Sequence, residues 1–456
     1  MRLGTRLTRW TLGPGPNVHF GIVLALVAVA CDCEEERRAA AESDPVEAPA
    51  RGDERSLGAM GAPLDPARCG APSAARIEGG AVPGGLCAWV WARVLAQPRG
   101  MIGVEGGDVL VVERGRSRVV ALFDGDGDGV SGEDERAVLA EAEGLNHGIA
   151  LQGAALYASS ATTVYRWAYE PGARERLGEP TVVVRGIPSG GHRTRTLIFD
   201  AEGRLYVSVG SRANVDPSSA RARVMRYALD AGPDGGIEWE RGEVWADGLR
   251  NEVGLAFDAR GRLWGVQNGV DNLARDDLGG DIHADNPAEE LNLLDEGGRF
   301  HGYPYCWTEY ALPRSVGRGR GTQWAHPDFT DDDTHTDAWC RDRASVVPPR
   351  FSLPAHTAPL DVMFWRAGAL PSALDGDAIV GMHGSWNRPT PIGYQVARIR
   401  FEDGAPRSHE PLLESAGDDA RSWRHRPVAL ARGPRGELLV TSDATGVVLA
   451  IAVAER

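Results

Sequence analysis

The chain has no lysine; all 49 of its basic residues are arginine. That excludes a Schiff-base lysine, a general-base lysine and a P-loop lysine. Fixed positive charge at any site must come from guanidinium groups, whose planar fork suits carboxylates. No Cys-x-x-Cys pair occurs, so a zinc centre is not expected. No apolar run reaches the roughly 18 residues of a membrane-spanning helix. Helical periodicity is scarce after residue 90. The formal net charge of −15 argues against nucleic acid or an anionic membrane surface as the main partner.

What is there begins with an export signal. Arg2, Arg6 and Arg9 precede an 11-residue apolar stretch, Phe20 to Ala30, and Cys31 follows at once. The sequence "AVAC" fits a lipoprotein signal acylated on Cys31. It also fits ordinary cleavage after Ala30. Residues 31–66 are rich in Ala, Glu, Arg and Pro without hydrophobic periodicity, as in a disordered tether. The expected organisation is a leader over 1–30, the tether over 31–66 and a folded domain over 67–456, exported to the periplasm or held at a membrane by a lipid anchor. Within the domain stand Cys69, Cys87, Cys306 and Cys340. An even count in an exported chain suggests disulfides. Pairing Cys69 with Cys87 and Cys306 with Cys340 is the most local of three possibilities.

One unit recurs along the domain: a polar lead-in, a strand, a Gly or Asp turn, and a second strand. Copies start near Met101, Gly144, His192, Arg250, Ala358 and Arg426, and segments such as "SRVVALFD" and "YQVARIRF" read as outer strands. Six copies of about four strands predict an all-β, six-bladed β-propeller with loop insertions. The largest insertion runs about 306–350.

In a propeller the lead-ins to the inner strands gather at one mouth of the central channel. Here they carry Asn146, His147, His192, Arg250, Asn251, His356, Arg424 and Arg426. Any one of these is an ordinary loop residue. Together they predict a cationic pocket suited to a polycarboxylate held by arginine forks.

At these residues the chain resembles the soluble quinoprotein sugar dehydrogenases, the glucose/sorbosone dehydrogenase family. These are six-bladed propellers that hold pyrroloquinoline quinone (PQQ) and calcium at the channel mouth. "HRTRTLIFD" resembles the segment of the catalytic base, which falls on His192. "WADGLRNEVGLAFD" resembles the motif that places an arginine by the reactive carbonyl, implicating Arg250 and Asn251. "WRHRPVAL" resembles the arginines on the cofactor carboxylates, Arg424 and Arg426. "VQNGVDN" resembles the segment contacting quinone and calcium, implicating Asn268 and Gly269, with calcium held partly by backbone carbonyls. "HTAPLDVMFW" and "HGSWNR" are closer to the sorbosone-type branch. Where the glucose enzyme has an aspartate after its base, this chain has Ser211. The family's cofactor-contacting lysine has no counterpart here, and the resemblance offers Arg388 of "HGSWNR" in its place. The resemblance implies a hydride transfer from a sugar, aldehyde or hemiacetal to PQQ, with His192 as base and an electron acceptor the sequence does not name. Two other readings stay open: a propeller that binds carbohydrate or protein without catalysis, and a calcium-dependent lactonase-like hydrolase.

Separately, "DGDGDGVSGEDE" fits the spacing of an isolated calcium loop. Asp124, Asp126 and Asp128 would be early ligands, Val130 would offer its carbonyl and Glu135 would close the cage. The following "ERAVLAEAEG" reads as a short helix.

Overall fold

The computed structural model describes residues 57–455 apart from 63, 219 and 230–234. The leader, Cys31 and most of the expected tether lie outside the described residues. Six sheets follow one another along the chain, antiparallel except for a parallel outer pair in the second and third. The blades start with the inner strands Pro98–Gly103, Ile149–Leu151, Leu197–Phe199, Glu252–Phe257, Pro359–Phe364 and Pro427–Arg432. Each inner strand touches the next, and the last touches the first, so the ring is closed. This is the six-bladed propeller that the repeat predicts.

Second strands buried along their whole length explain why the blades form. Val109–Glu113 is buried along its whole length and pairs on both sides, as a β-branched strand packed on two faces should. Aromatic rings fill the space between neighbouring blades: Trp264 of blade 4 meets Phe401 of blade 5 edge-on, with centroids 5.2 Å apart.

Three elements were not legible in the repeat. Leu86–Ala92 supplies the fourth strand of blade 6, pairing antiparallel with Val447–Val453. The two ends of the domain thereby close the ring, and Trp89 and Trp91 of this strand are fully buried. Truncating either to alanine should cost about 3–5 kcal/mol. Arg136–Glu141, expected as a helix, is the outer strand of blade 1. Its Ala and Glu favour helix locally, but pairing with Arg118–Leu122 overrides that weak preference. Met60–Ala62, expected within the tether, is a short strand paired with Gly80–Pro83 at the edge of blade 5.

Neighbouring blades are stitched near one channel mouth. Ser159 Oγ donates to the Arg195 carbonyl at 2.8 Å, and Thr196 Oγ1 donates to Val253 O. Asn268 Nδ2 donates to Pro359 O at 2.8 Å, Leu430 N to Asp361 Oδ2 at 2.8 Å, and Thr441 Oγ1 to Arg99 O at 2.9 Å. Blades 1 and 2 meet at Gly100, where a β-carbon would lie 1.9 Å from the His147 carbonyl. Only glycine allows that approach.

Both local disulfides are present, Cys69–Cys87 and Cys306–Cys340. The second staples the insertion, which holds a two-stranded hairpin, Cys306–Thr308 with Gln323–Ala325, and the one-turn helix Asp337–Arg341.

Candidate active site

His192 sits in the loop that enters blade 3. Its Nδ1 lies 3.0 Å from Ser211 O and 3.1 Å from Ser211 Oγ. The Ser211 hydroxyl donates its proton to Ala213 O at 2.7 Å. Both Ser211 oxygens are therefore acceptors toward the ring, so Nδ1 carries the hydrogen and Nε2 keeps a free lone pair. Burial, reinforced by Arg250, lowers the His192 pKa to about 4. The imidazole is neutral at physiological pH.

Arg250 and Asn251 come from the turn that enters blade 4. The Arg250 guanidinium is buried and bonds Asn214 O at 3.1 Å, Asn214 Oδ1 at 2.9 Å and Asp271 Oδ2 at 3.0 Å. Its Nη1 lies 3.4 Å from Asn268 O. Asn251 Nδ2 donates to Asn268 Oδ1 at 3.1 Å. Gly269 N donates to the buried Glu289 carboxyl at 2.7 Å, and burial pushes that acid up to about 8. Asp271 also lies 3.9 Å from His356 Nδ1, which joins the lead-in of blade 5 to the same cluster.

A second cluster gathers residues of blades 6, 5 and 1. Asp443 bonds Arg99 at 2.8 Å and His383 Nε2 at 2.9 Å. Burial works against its charged form, but His383 and Arg99 together hold it well below the usual carboxylate range. Arg426 reaches the carbonyls of His383 and Gly384 at 3.0 and 3.1 Å. His147 is buried beside Arg99, and burial, then the Arg99 charge, drives its pKa far down. Arg388 pairs with Asp285 at 2.8 Å. Arg424 is exposed and lines a groove of about 690 Å³ with Arg76, Arg93 and His425, apart from the contacts of Arg426.

Sequence reasoning missed Arg99, Asp271, His383 and Asp443. The signal was available for two of them, His383 and Asp443. The second strand of each blade runs antiparallel to the first, so its exit lies beside the lead-in. Asn268, His383 and Asp443 follow second strands directly, and Ser211 follows one after Gly210. The exits carry site residues as the entrances do.

The calcium-type loop is well formed. Carboxylate oxygens of Asp124, Asp126 and Asp128 lie within 4.8 Å of one another. Glu135 turns back over the same loop, accepting from Gly125 N at 2.6 Å and Gly132 N at 2.9 Å. The Val130 amide donates to Asp128 Oδ1 at 3.0 Å.

Against known proteins, a family model described as TrAA12-like matches residues 81–454. The chain belongs to the TrAA12-like family. A pyrroloquinoline quinone-dependent pyranose dehydrogenase of Coprinopsis cinerea is 32% identical to this TrAA12-like chain over 401 residues, covering 78% of it. The match covers 52% of that relative, so the chain spans about half of its length. A pyrroloquinoline quinone-dependent sugar dehydrogenase of Hypocrea jecorina is 30% identical over 396 residues, covering 78% of this chain and 85% of that one. Among solved structures, the holo PQQ domain of the Coprinopsis cinerea pyranose dehydrogenase superposes with a TM-score of 0.72 at 29% identity, over 82% of this chain and 97% of that one. The calcium structure of a Trichoderma reesei family AA12 enzyme gives 0.73 at 28%, over 83% and 98%. An aldose sugar dehydrogenase of Streptomyces coelicolor, at 20% identity and 0.52, shares the fold.

Proposed function

We propose that the TrAA12-like chain is an exported dehydrogenase that oxidises a sugar, or a related aldehyde or hemiacetal, with PQQ and calcium. The observation that carries this is His192: a neutral imidazole, its Nδ1 hydrogen committed to Ser211, its Nε2 free, at a mouth lined by arginines. The relatives named for PQQ and sugar support it.

The residues present fit the cofactor. Arg99 Nε and His147 Nδ1 are buried polar atoms without a hydrogen-bond partner among the described residues. A ligand bearing carboxylates and ring heteroatoms would satisfy such groups. Arg99, His147, Arg250, Asn251, Asn268 and Arg426 would hold it, with Arg388 and Arg424 as further cationic groups. The backbone carbonyls of Asn268 and Gly269 would meet calcium. Bound PQQ would supply the hydride acceptor, and calcium would act as Lewis acid on it. The protein's own part is to take the hydroxyl proton of the substrate on His192 Nε2. Arg250, fixed by Asn214 and Asp271, presents positive charge where negative charge develops. The sorbosone-type segments extend the expected substrates to aldehydes.

The lactonase reading needs a cluster of carboxylates on a channel metal. Here Asp271 and Asp443 are each engaged by arginine. Among the described residues, the one carboxylate group spaced for a metal is Asp124, Asp126 and Asp128. We propose that this loop binds a separate, structural calcium.

The test is reconstitution. Purified protein with PQQ and calcium should show a bound-quinone absorbance and reduce a dye with some member of a panel of aldoses and aldehydes. If no quinone is retained, the proposal fails. If quinone is retained without turnover, the binding propeller replaces it. His192→Ala should retain PQQ and lose at least about 100-fold in kcat.

A further inference from the structure

Two buried arginines outside the proposed reaction surround the His192 loop. Arg195 is fully buried, and Arg221 is 4% exposed. Neither forms an ion pair with a carboxylate among the described residues. Their donors go to main-chain carbonyls instead. Arg195 reaches Ala161 O at 3.0 Å, Pro188 O at 2.7 Å, His192 O at 2.9 Å and Thr194 O at 2.6 Å. Arg221 reaches Gly210 O at 3.0 Å, Pro188 O at 3.1 Å, Ser189 O at 2.6 Å, Gly190 O at 2.7 Å and His192 O at 3.2 Å. Both guanidiniums converge on the carbonyl of His192 itself.

This arrangement is costly on its own terms. The buried Arg195 guanidinium is stabilised by carbonyl dipoles alone, and Arg221 by the same dipoles with Asp216 beyond ion-pair distance. Burial lowers the pKa of both, and that of Arg195 falls to about 9. A loop could be fixed more cheaply by backbone pairing. The segment from Pro188 to Thr194 has no regular structure, and Gly190 and Gly191 take left-handed backbone angles. Besides the clamp, the main chain here is held by His192 N donating to Ser211 O at 3.1 Å and by Asn146 Nδ2 donating to Arg193 O at 3.1 Å.

We infer that Arg195 and Arg221 are positioning residues for the base: they fix the main chain at His192 while Ser211 fixes its ring. The inference rests on His192 being the base and adds what holds it there. The clamp does two things at once. It orients Nε2, and it sets fixed positive charge beside an imidazole that works only when neutral. The charged groups facing His192 are Arg250 and Arg221, which disfavour its protonation, and Asp271, which favours it. Arg195 lies on the carbonyl side of the same residue.

The experiment compares Arg221→Gln and Arg221→Lys with the parent. One readout is the titration of the His192 ring by NMR in the cofactor-free protein, its signal assigned through His192→Ala. The others are the pH profile and kcat of the reconstituted enzyme. Arg221→Gln should move the His192 titration upward and lower kcat at least about 10-fold, with PQQ still retained. Arg221→Lys keeps the charge but cannot span five carbonyls, so its titration should stay near that of the parent while kcat falls. A merely structural clamp would lower thermal stability and leave the titration and pH profile of both variants unchanged, which overturns the inference. If Arg221→Gln does not fold, Arg221→Lys decides: unchanged kcat overturns it. Failure of the base itself shows separately, as full turnover in His192→Ala.

Discussion

His192 Nδ1 is held by Ser211 twice, through its carbonyl at 3.0 Å and its hydroxyl at 3.1 Å. The partner is neutral. A carboxylate in that place would both orient the ring and raise its basicity. Ser211 orients the ring and raises its basicity through a neutral hydrogen bond, but burial first, then Arg250 and Arg221, press the other way and prevail. The result is a histidine whose free form persists far into the acid range.

Replacing Ser211 should therefore move a pH limit. The His192 pKa of about 4 lies below its ordinary 6.5, so the neutral base is populated above about pH 4, and kcat/KM should fall only as pH drops below that. Ser211→Asp places a carboxylate beside Nδ1 and should raise the limit by about 1–3 units. The pH dependence of kcat/KM in the reconstituted enzyme measures it. A limit left at the parent's position would separate Ser211 from the base.

The propeller was legible because each repeat carries both its strand pattern and its turn residues. "HRTRTLIFDAEGRLYVSVG" shows lead-in, inner strand, Gly turn and second strand in order, and the structure has strands at Leu197–Phe199 and Leu205–Val209. What did not show depends on contacts distant in sequence. Leu86–Ala92 completes a blade whose other strands lie more than 300 residues later, Pro427–Arg432 first among them. Arg136–Glu141 has helical composition and becomes a strand because blade 1 lacks an outer edge without it. At the site, lead-in residues were found because the repeat aligns them. Asp271 was not, because it stands in an irregular loop and is recognisable only by its bonds to Arg250 and Asn214.

A buried histidine sets part of the acid stability. His301 is 4% exposed, its Nδ1 has no partner among the described residues, and burial, with Arg299 adding, lowers its pKa to about 3. The unfolded chain binds this proton near pH 6.5, while the folded chain stays unprotonated to about 3. Stability from this group is thus complete above pH 6.5 and is lost as pH falls toward 3. His301→Asn should flatten the decline, removing about 1–3 kcal/mol of the loss between pH 6.5 and 4.5. Urea unfolding at both pH values reads the difference, and parallel curves for parent and variant would exclude the effect.

The Cys69–Cys87 disulfide anchors the start of the closing strand. It closes a separation of 18 residues, for which chain entropy gives about 3 kcal/mol. Cys69→Ala with Cys87→Ala should lower stability by about 2–4 kcal/mol. Hydrogen exchange should rise first at Leu86–Ala92 and its partner Val447–Val453. Loss of protection spread evenly over all six blades would show that the closing strand is not the weak edge.

The Asp124–Glu135 loop is bound to that same closing strand. Trp89 Nε1 donates to Gly129 O at 2.8 Å, and Ser131 N donates to Trp91 O at 2.7 Å. Ser73 Oγ adds a bond to Asp128 at 2.7 Å. A cation held by Asp124, Asp126 and Asp128 would neutralise charges that now face one another; burial, and then the neighbouring Asp128 and Glu135, favour the protonated form of Asp124. Calcium should therefore stabilise the ring closure, by about 2.7 kcal/mol at a free concentration 100 times the Kd. Asp126→Ala should abolish this heat of binding in calorimetry and the calcium-dependent rise in Tm. It should leave PQQ retention untouched, because Asp126 is in blade 1's outer loop and away from the groups that bond Arg250. An unchanged calorimetric trace in Asp126→Ala would assign the calcium elsewhere.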